Sequence, residues 1–164
     1  MKAGFTAFDT ADIYGPSEEI LGTLRRQIAG SSGTPPSFFT KYVTGDPSLQ
    51  EARRVNAKSR SSLGAVPDMV QFHWWDYSDG HFVEAARHLV TLQKEGLIKD
   101  VAACNFDVAH LEPLIGAGVP LVANQVLVRV RDRVRLRVGV RVRVRVRVRV
   151  RVRVRVPRHP PSAA

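Results

Sequence analysis

A single cysteine, Cys104, is the only thiol in this 164-residue chain, which excludes an internal disulfide and suits a reducing compartment. No set of Cys and His residues has metal-ligand spacing, so no metal centre is expected. The N-terminus lacks a basic segment followed by an apolar run, and no stretch approaches the roughly 20 apolar residues that cross a bilayer. The expectation is a soluble, cytoplasmic chain with no signal segment and no membrane partner. Acidic residues are nearly missing from one end. Residues 128–164 hold 14 Arg and one acid, Asp132, whereas residues 1–127 hold 11 Lys+Arg against 14 Asp+Glu. The net charge of +10 therefore belongs to the tail and does not describe a basic surface spread over a fold.

What the chain does have is 44% hydrophobic residues, enough for one globular core, arranged as short apolar runs alternating with amphipathic segments. Runs at residues 5–8, 37–40, 69–72, 98–103 and 121–123 read as strands, brief and apolar as expected of a parallel sheet covered on both faces. Between the first two, Ser17 is placed to cap a helix with a stripe of Ile20, Leu21, Leu24 and Ile28, and Glu18 and Glu19 favour its first turn. Residues 47–63 read as a second helix. Phe82, Ala85, Ala86, Leu89 and Leu92 form a third stripe closed by Gly96, and Asp107 caps a fourth helix carrying Val108, Leu111, Leu114 and Ile115. This βα alternation predicts an α/β fold, a partial (β/α)8 TIM barrel of about five of eight βα units, because a complete barrel needs about 250 residues.

The texture changes after Gln125. From Val128 to Val156 Val and Arg alternate, interrupted by Asp132, Leu136 and Gly139. A two-residue period would put Val on one face of a strand, but 29 residues far exceed the usual strand length of about 3–10. A short DNA repeat translated in frame produces such a dipeptide repeat automatically, so a repeat expansion or read-through is expected. The domain reading is a partial barrel over residues 1–127, a low-complexity repeat over 128–156 and a disordered terminus over 157–164.

Barrel enzymes take their chemistry from the C-terminal ends of successive strands. The first three runs lead into FDTADIYG, TKY and QFHWWD, offering Asp9, Tyr14, Lys41 and His73, a carboxylate, a phenol, an ammonium and an imidazole on one rim. Taken singly, Asp9 reads as a loop cap, Lys41 as a surface lysine and His73 as a core histidine. Four such groups in order weigh against that. Trp74 and Trp75 read equally as rim packing or as substrate wall, and His81, His88, His110 and His159 as surface residues.

The segment AGFTAFDTADIYGPSEEILG resembles the aldo-keto reductase signature, and TKY, DMVQFHWWDY, EGLIKDVAACNFD and VPLVANQV resemble that family's next four strands. The resemblance covers residues 4 to about 127 and implies a family member truncated at both ends, with an open barrel, two unpaired edges and an exposed apolar interior. It implies NADPH as cofactor and a small-molecule aldehyde or ketone as substrate, with hydride transfer to the carbonyl carbon. In the roles so implied, Tyr14 donates the proton, Lys41 lowers its pKa, Asp9 holds Lys41, and His73 orients the carbonyl. Cys104, Asn105 and Gln125 fall where the family holds the nicotinamide carboxamide. Cys104 is a departure, since a thiol is a weaker hydrogen-bonding group than the hydroxyl usual there. It reads as a small strand-end residue and not as a reactive thiol. Asp100, inside an apolar run, is another departure and would be costly facing a dry interior.

Nothing after Gln125 resembles the family's aromatic nicotinamide platform or its phosphate-gripping loop, so a catalytically inactive remnant stands as an alternative. A third reading makes the tail a polycation that binds nucleic acid or another anion through counterion release. It lacks interleaved aromatics, so specific nucleic-acid recognition is not expected and any anion binding would be non-specific.

Overall fold

The computed structural model describes residues 5–30 and 35–127. The Val/Arg repeat, the terminal segment and His159 lie outside the described residues. Five parallel strands form one sheet in sequence order: β1 Ala7–Asp9, β2 Ser37–Thr44, β3 Met69–Trp74, β4 Asp100–Cys104 and β5 Leu121–Gln125. Helices α1 Ser17–Ile28, α2 Leu49–Leu63, α3 Phe82–Lys94 and α4 Val108–Gly116 fill the crossovers. The sheet curls into part of a (β/α)8 barrel. The curl brings β5 round to face β1, so that Gln125 Nε2 donates to Asp9 Oδ2 at 3.3 Å. Among the described residues no helix is long and apolar enough to cross a membrane.

The two faces of the sheet divide the chemistry by the strand's two-residue period. Tyr42, Val70, Phe72, Trp74, Val101 and Ala103 point outward into the core shared with the helices. The alternate positions Lys41, Gln71 and Cys104 are also buried, and Lys41 and Cys104 line the inner cavity together with His73. The interior therefore combines apolar side chains such as Ile13 and Val43 with the polar groups of Lys41 and His73.

The strand ends also differ from their sequence-based limits. β1 is shifted toward Asp9, and β2 and β3 run past the apolar residues to include Lys41 and His73. The reason is pairing: β2 and β3 hold an unbroken parallel register from Phe39↔Met69 to Thr44↔Trp74, which carries polar side chains as readily as apolar ones when they face inward. Asp100 is exposed at the start of β4, so it avoids the desolvation cost its position in the run suggested.

α3 buries all five residues of its stripe, and Gly96 turns the chain away at φ 72°. In α1 the stripe fails at Ile20, which is 62% exposed, because Glu18 and Gly22 face inward instead. Glu18 is buried and accepts a 2.6 Å hydrogen bond from Thr40 Oγ1. Pro16, not Ser17, occupies the cap position, and the Ser17 hydroxyl instead accepts from Thr10 Oγ1 at 2.7 Å. α4 begins at Asp107 as expected, its side chain accepting from His110 N at 3.0 Å, but of its stripe Val108 and Ile115 are exposed. His81 is exposed, whereas His88 and His110 are half-buried, His110 against Tyr77 and Phe82.

Gly22 is where α1 meets the end of α2. A Cβ there would lie 2.1 Å from the Ser62 carbonyl oxygen, a backbone atom that cannot yield without moving the helix. Overpacking costs about 1–3 kcal/mol, more than the ~1 kcal/mol that alanine gains over glycine in a helix. Gly22→Ala should therefore lower the melting temperature, read by calorimetry, although it improves helix propensity. Asp12, in the β1–α1 loop, accepts from Val43 N at 3.2 Å through Oδ2, while its buried Oδ1 has no partner. Burial raises its pKa from 3.8 to about 6, opposed by the Val43 N–H and reinforced by the charge of Glu18. Between those two values the folded chain holds a proton that the unfolded chain releases, so the contribution of Asp12 to stability is lost as pH rises from 3.8 to about 6. Asp12→Asn should melt higher than the wild type at pH 7, and the difference should shrink when both are scanned at acidic pH.

Candidate active site

The C-terminal ends of β1 to β5 surround a cavity of about 510 Å³ lined by Tyr14, Lys41, His73, Cys104, Asn105 and Gln125, together with Ile13, Val43, Trp75 and Leu127. Asp9 reaches the cavity through its bond to Lys41. Its Oδ2 accepts from Lys41 Nζ at 2.7 Å, and its Oδ1 accepts from Gln71 Nε2. Lys41 is 5% exposed, and its ammonium also donates to the Thr10 carbonyl at 2.9 Å. A buried ammonium is tolerated only when paired in this way. On its other side Lys41 Nζ lies 5.5 Å from the centroid of the Tyr14 ring, which stands half-exposed at the rim in the turn before α1.

His73 reaches the cavity from β3. Burial first, and then the charge of Lys41, hold its pKa below the usual 6.5, so the ring is neutral at neutral pH. The two neighbouring indoles part company here. Trp74 points outward, is 3% exposed and donates to the Asp76 carbonyl, whereas Trp75 is 67% exposed and sets its ring edgewise to His73 with centroids 4.5 Å apart. Trp74 is therefore core and Trp75 wall.

Cys104, Asn105 and Gln125 form the side of the cavity contributed by β4 and β5. The Cys104 thiol is buried, its pKa pushed up by that burial, and it faces Gln125 Oε1 at 3.9 Å. It is a packed thiol and not an activated one. Asn105 takes a left-handed φ of 62°, tied by its N–H to the Gln125 carbonyl at 2.7 Å and by its Oδ1 to Leu127 N at 2.9 Å. Among the described residues Asn105 Nδ2 makes no hydrogen bond. Asn124, next to Gln125, turns away and pairs with the Phe106 backbone through both ends of its amide.

Six of the seven residues singled out from the sequence line this cavity, and the seventh, Asp9, is bonded to Lys41 beside it. Gln71, Asp12 and Glu18 were missed. Each is a polar residue within or beside an apolar segment, and the signal in Gln71 was its place two residues before His73, on the same side of β3.

Comparison with known proteins agrees with this geometry. The sequence model of the Aldo/keto reductase family matches residues 1–136. Methylglyoxal reductase DkgA of Escherichia coli O157:H7 is 33% identical over 129 residues, which are 77% of this chain and 45% of that protein. The crystal structure of an aldo/keto reductase from Brucella melitensis superposes with a TM-score of 0.66 at 34% identity, covering 77% of this chain and 49% of that one. A point mutant of Gox0644, solved in complex with NADPH, gives 0.66 at 29% identity over 77% of this chain and 45% of its own. The chain spans about half the length of the relatives it matches. With its sequence and its curled parallel sheet both matched, the chain belongs to the aldo/keto reductase family.

Proposed function

We propose that this cavity is an NADP(H)-dependent carbonyl-reducing site in which Tyr14 protonates the oxygen of a small aldehyde or ketone. The observation that carries the reading is the grouping of Tyr14, Lys41 and His73 around one cavity, with Lys41 paired to Asp9 at 2.7 Å. The family, a relative named as a methylglyoxal reductase and a neighbour bound to NADPH support it.

A phenol is a poor proton donor at neutral pH, and a nearby ammonium favours the phenolate left behind. The Lys41 ammonium lies 5.5 Å from the centre of the Tyr14 ring, and Asp9 holds Lys41 there. His73 is placed to offer an N–H to the carbonyl oxygen, and Tyr14, at the rim of the same cavity, is the proton donor. The amide of Asn105 and the exposed amide of Gln125 suit a nicotinamide carboxamide, since Asn105 Nδ2 is free and the contacts of Gln125, at 3.3 and 3.9 Å, are long enough to exchange. The Cys104 thiol contributes packing at that position and little hydrogen bonding. NADPH, when bound, supplies the hydride. Ile13, Val43 and Trp75 offer the apolar wall a carbonyl substrate would meet.

NADPH should quench the intrinsic fluorescence saturably, because Trp75 borders the cavity. A linear, unsaturable response at micromolar cofactor would overturn the reading and favour a non-catalytic member of the family. Tyr14→Phe should lower turnover of methylglyoxal by about 10²–10⁴-fold, the usual range for a general acid, while the NADPH titration curve stays in place.

A further inference from the structure

We propose that Gln71 is a positioning residue that sets the orientation of the Asp9 carboxylate, and through it the place of the Lys41 ammonium beside Tyr14. Its significance for catalysis rests on the reductase reading above. Gln71 is 2% exposed, on β3, directly beside Lys41 in the β2–β3 register and beside Ala102 in the β3–β4 register. The amide extends past Lys41 to reach β1. There its Nε2 donates to Asp9 Oδ1, and the other carboxylate oxygen takes Lys41 Nζ at 2.7 Å and Gln125 Nε2 at 3.3 Å.

That division of the carboxylate matters. An anchored Oδ1 prevents Asp9 from turning about its last torsion without breaking both bonds, so Oδ2 remains directed at Lys41. A carboxylate gripped on one oxygen only, at the exposed end of a three-residue strand, would lack that restraint. A buried amide costs stability unless it is satisfied, and an apolar side chain of the same length would fill the space without that cost. The partner that satisfies the amide here is the charged group that holds Lys41.

The test compares Gln71→Met, equal in length and lacking the donor, in two backgrounds. In the wild type it should lower the melting temperature. In the Asp9→Leu/Lys41→Met background, where the amide has nothing to bind, the same substitution should raise it, because a buried unsatisfied group is removed. Equal losses in both would overturn the proposal and leave Gln71 a space filler. Two further measurements do not depend on that variant folding. The side-chain amide protons of Gln71 in the otherwise unaltered chain should exchange slowly by NMR and lose that protection in Asp9→Leu; protection unchanged by Asp9→Leu would overturn the proposal. Gln71→Glu sets a second carboxylate against Asp9 and should melt lower at pH 8 than at pH 4, each relative to the wild type; a loss independent of pH overturns the proposal. For turnover, Gln71→Met should lower kcat about tenfold, leave KM for NADPH unchanged and move the alkaline limb of the pH profile, where the proton donor titrates, whereas a change in KM alone would count against it. Stability and exchange are read without cofactor, so a chain that fails to bind NADPH sinks the reductase reading while the role of Gln71 at Asp9 is still decided by those two measurements.

Discussion

A lysine ammonium buried inside a parallel sheet must find its counter-charge inside that sheet, and the site follows from this requirement. Lys41 is carried inward by β2, and Asp9, which pairs with Phe39 two residues earlier on that strand, reaches its ammonium from β1. The carbonyl of Thr10 takes another of the ammonium's protons, which fixes the chain direction just after β1 and delivers Tyr14 to the rim. Loss of Asp9 would leave the Lys41 ammonium buried without its carboxylate, which costs far more than the pair contributes when intact.

The rest of the molecule is built to keep that level fixed. On the outer face, aromatic and aliphatic side chains from β2, β3 and β4 pack into the helices, with Phe72 in contact with Tyr42, Trp74 and Phe106. On the inner face, Lys41 and Gln71 are buried and joined through Asp9, while the half-buried His73 opens onto the cavity. The division depends only on the alternation of side chains along each strand, so one residue of slip would exchange the two sets. Dense outer packing against the helices is what forbids the slip.

Much of this was legible in the amino-acid order because two periods carry it. The run of βα units gave the strand order, and the stripe from Phe82 to Leu92 is buried at every position that a helical period assigns inward. The catalytic candidates stood out as polar groups that end apolar runs. Gln71 did not, because a lone polar residue within a strand looks like an interruption until its neighbours across the sheet are known, and those neighbours lie 30 and 62 residues away in Lys41 and Asp9. Ile20 misled for a related reason. The face that α1 turns inward is set by a glycine that permits contact with α2 and by a glutamate that finds Thr40, and neither contact has a hydropathy signature.

β1 has a consequence of its own. It is the shortest strand, pairs along three residues with β2, and has that one sheet neighbour among the described residues. Its final residue is nevertheless the carboxylate to which Lys41, Gln71 and Gln125 are all bound. Segments with so few ladder bonds open more readily than the body of a sheet, so these side-chain tethers fasten the strand as much as the strand supports them. The carboxylate is a rivet as well as a counter-charge. Any lesion at this position would fray the edge and strip the ammonium of its anion at the same time, joining mechanical and electrostatic failure in one event.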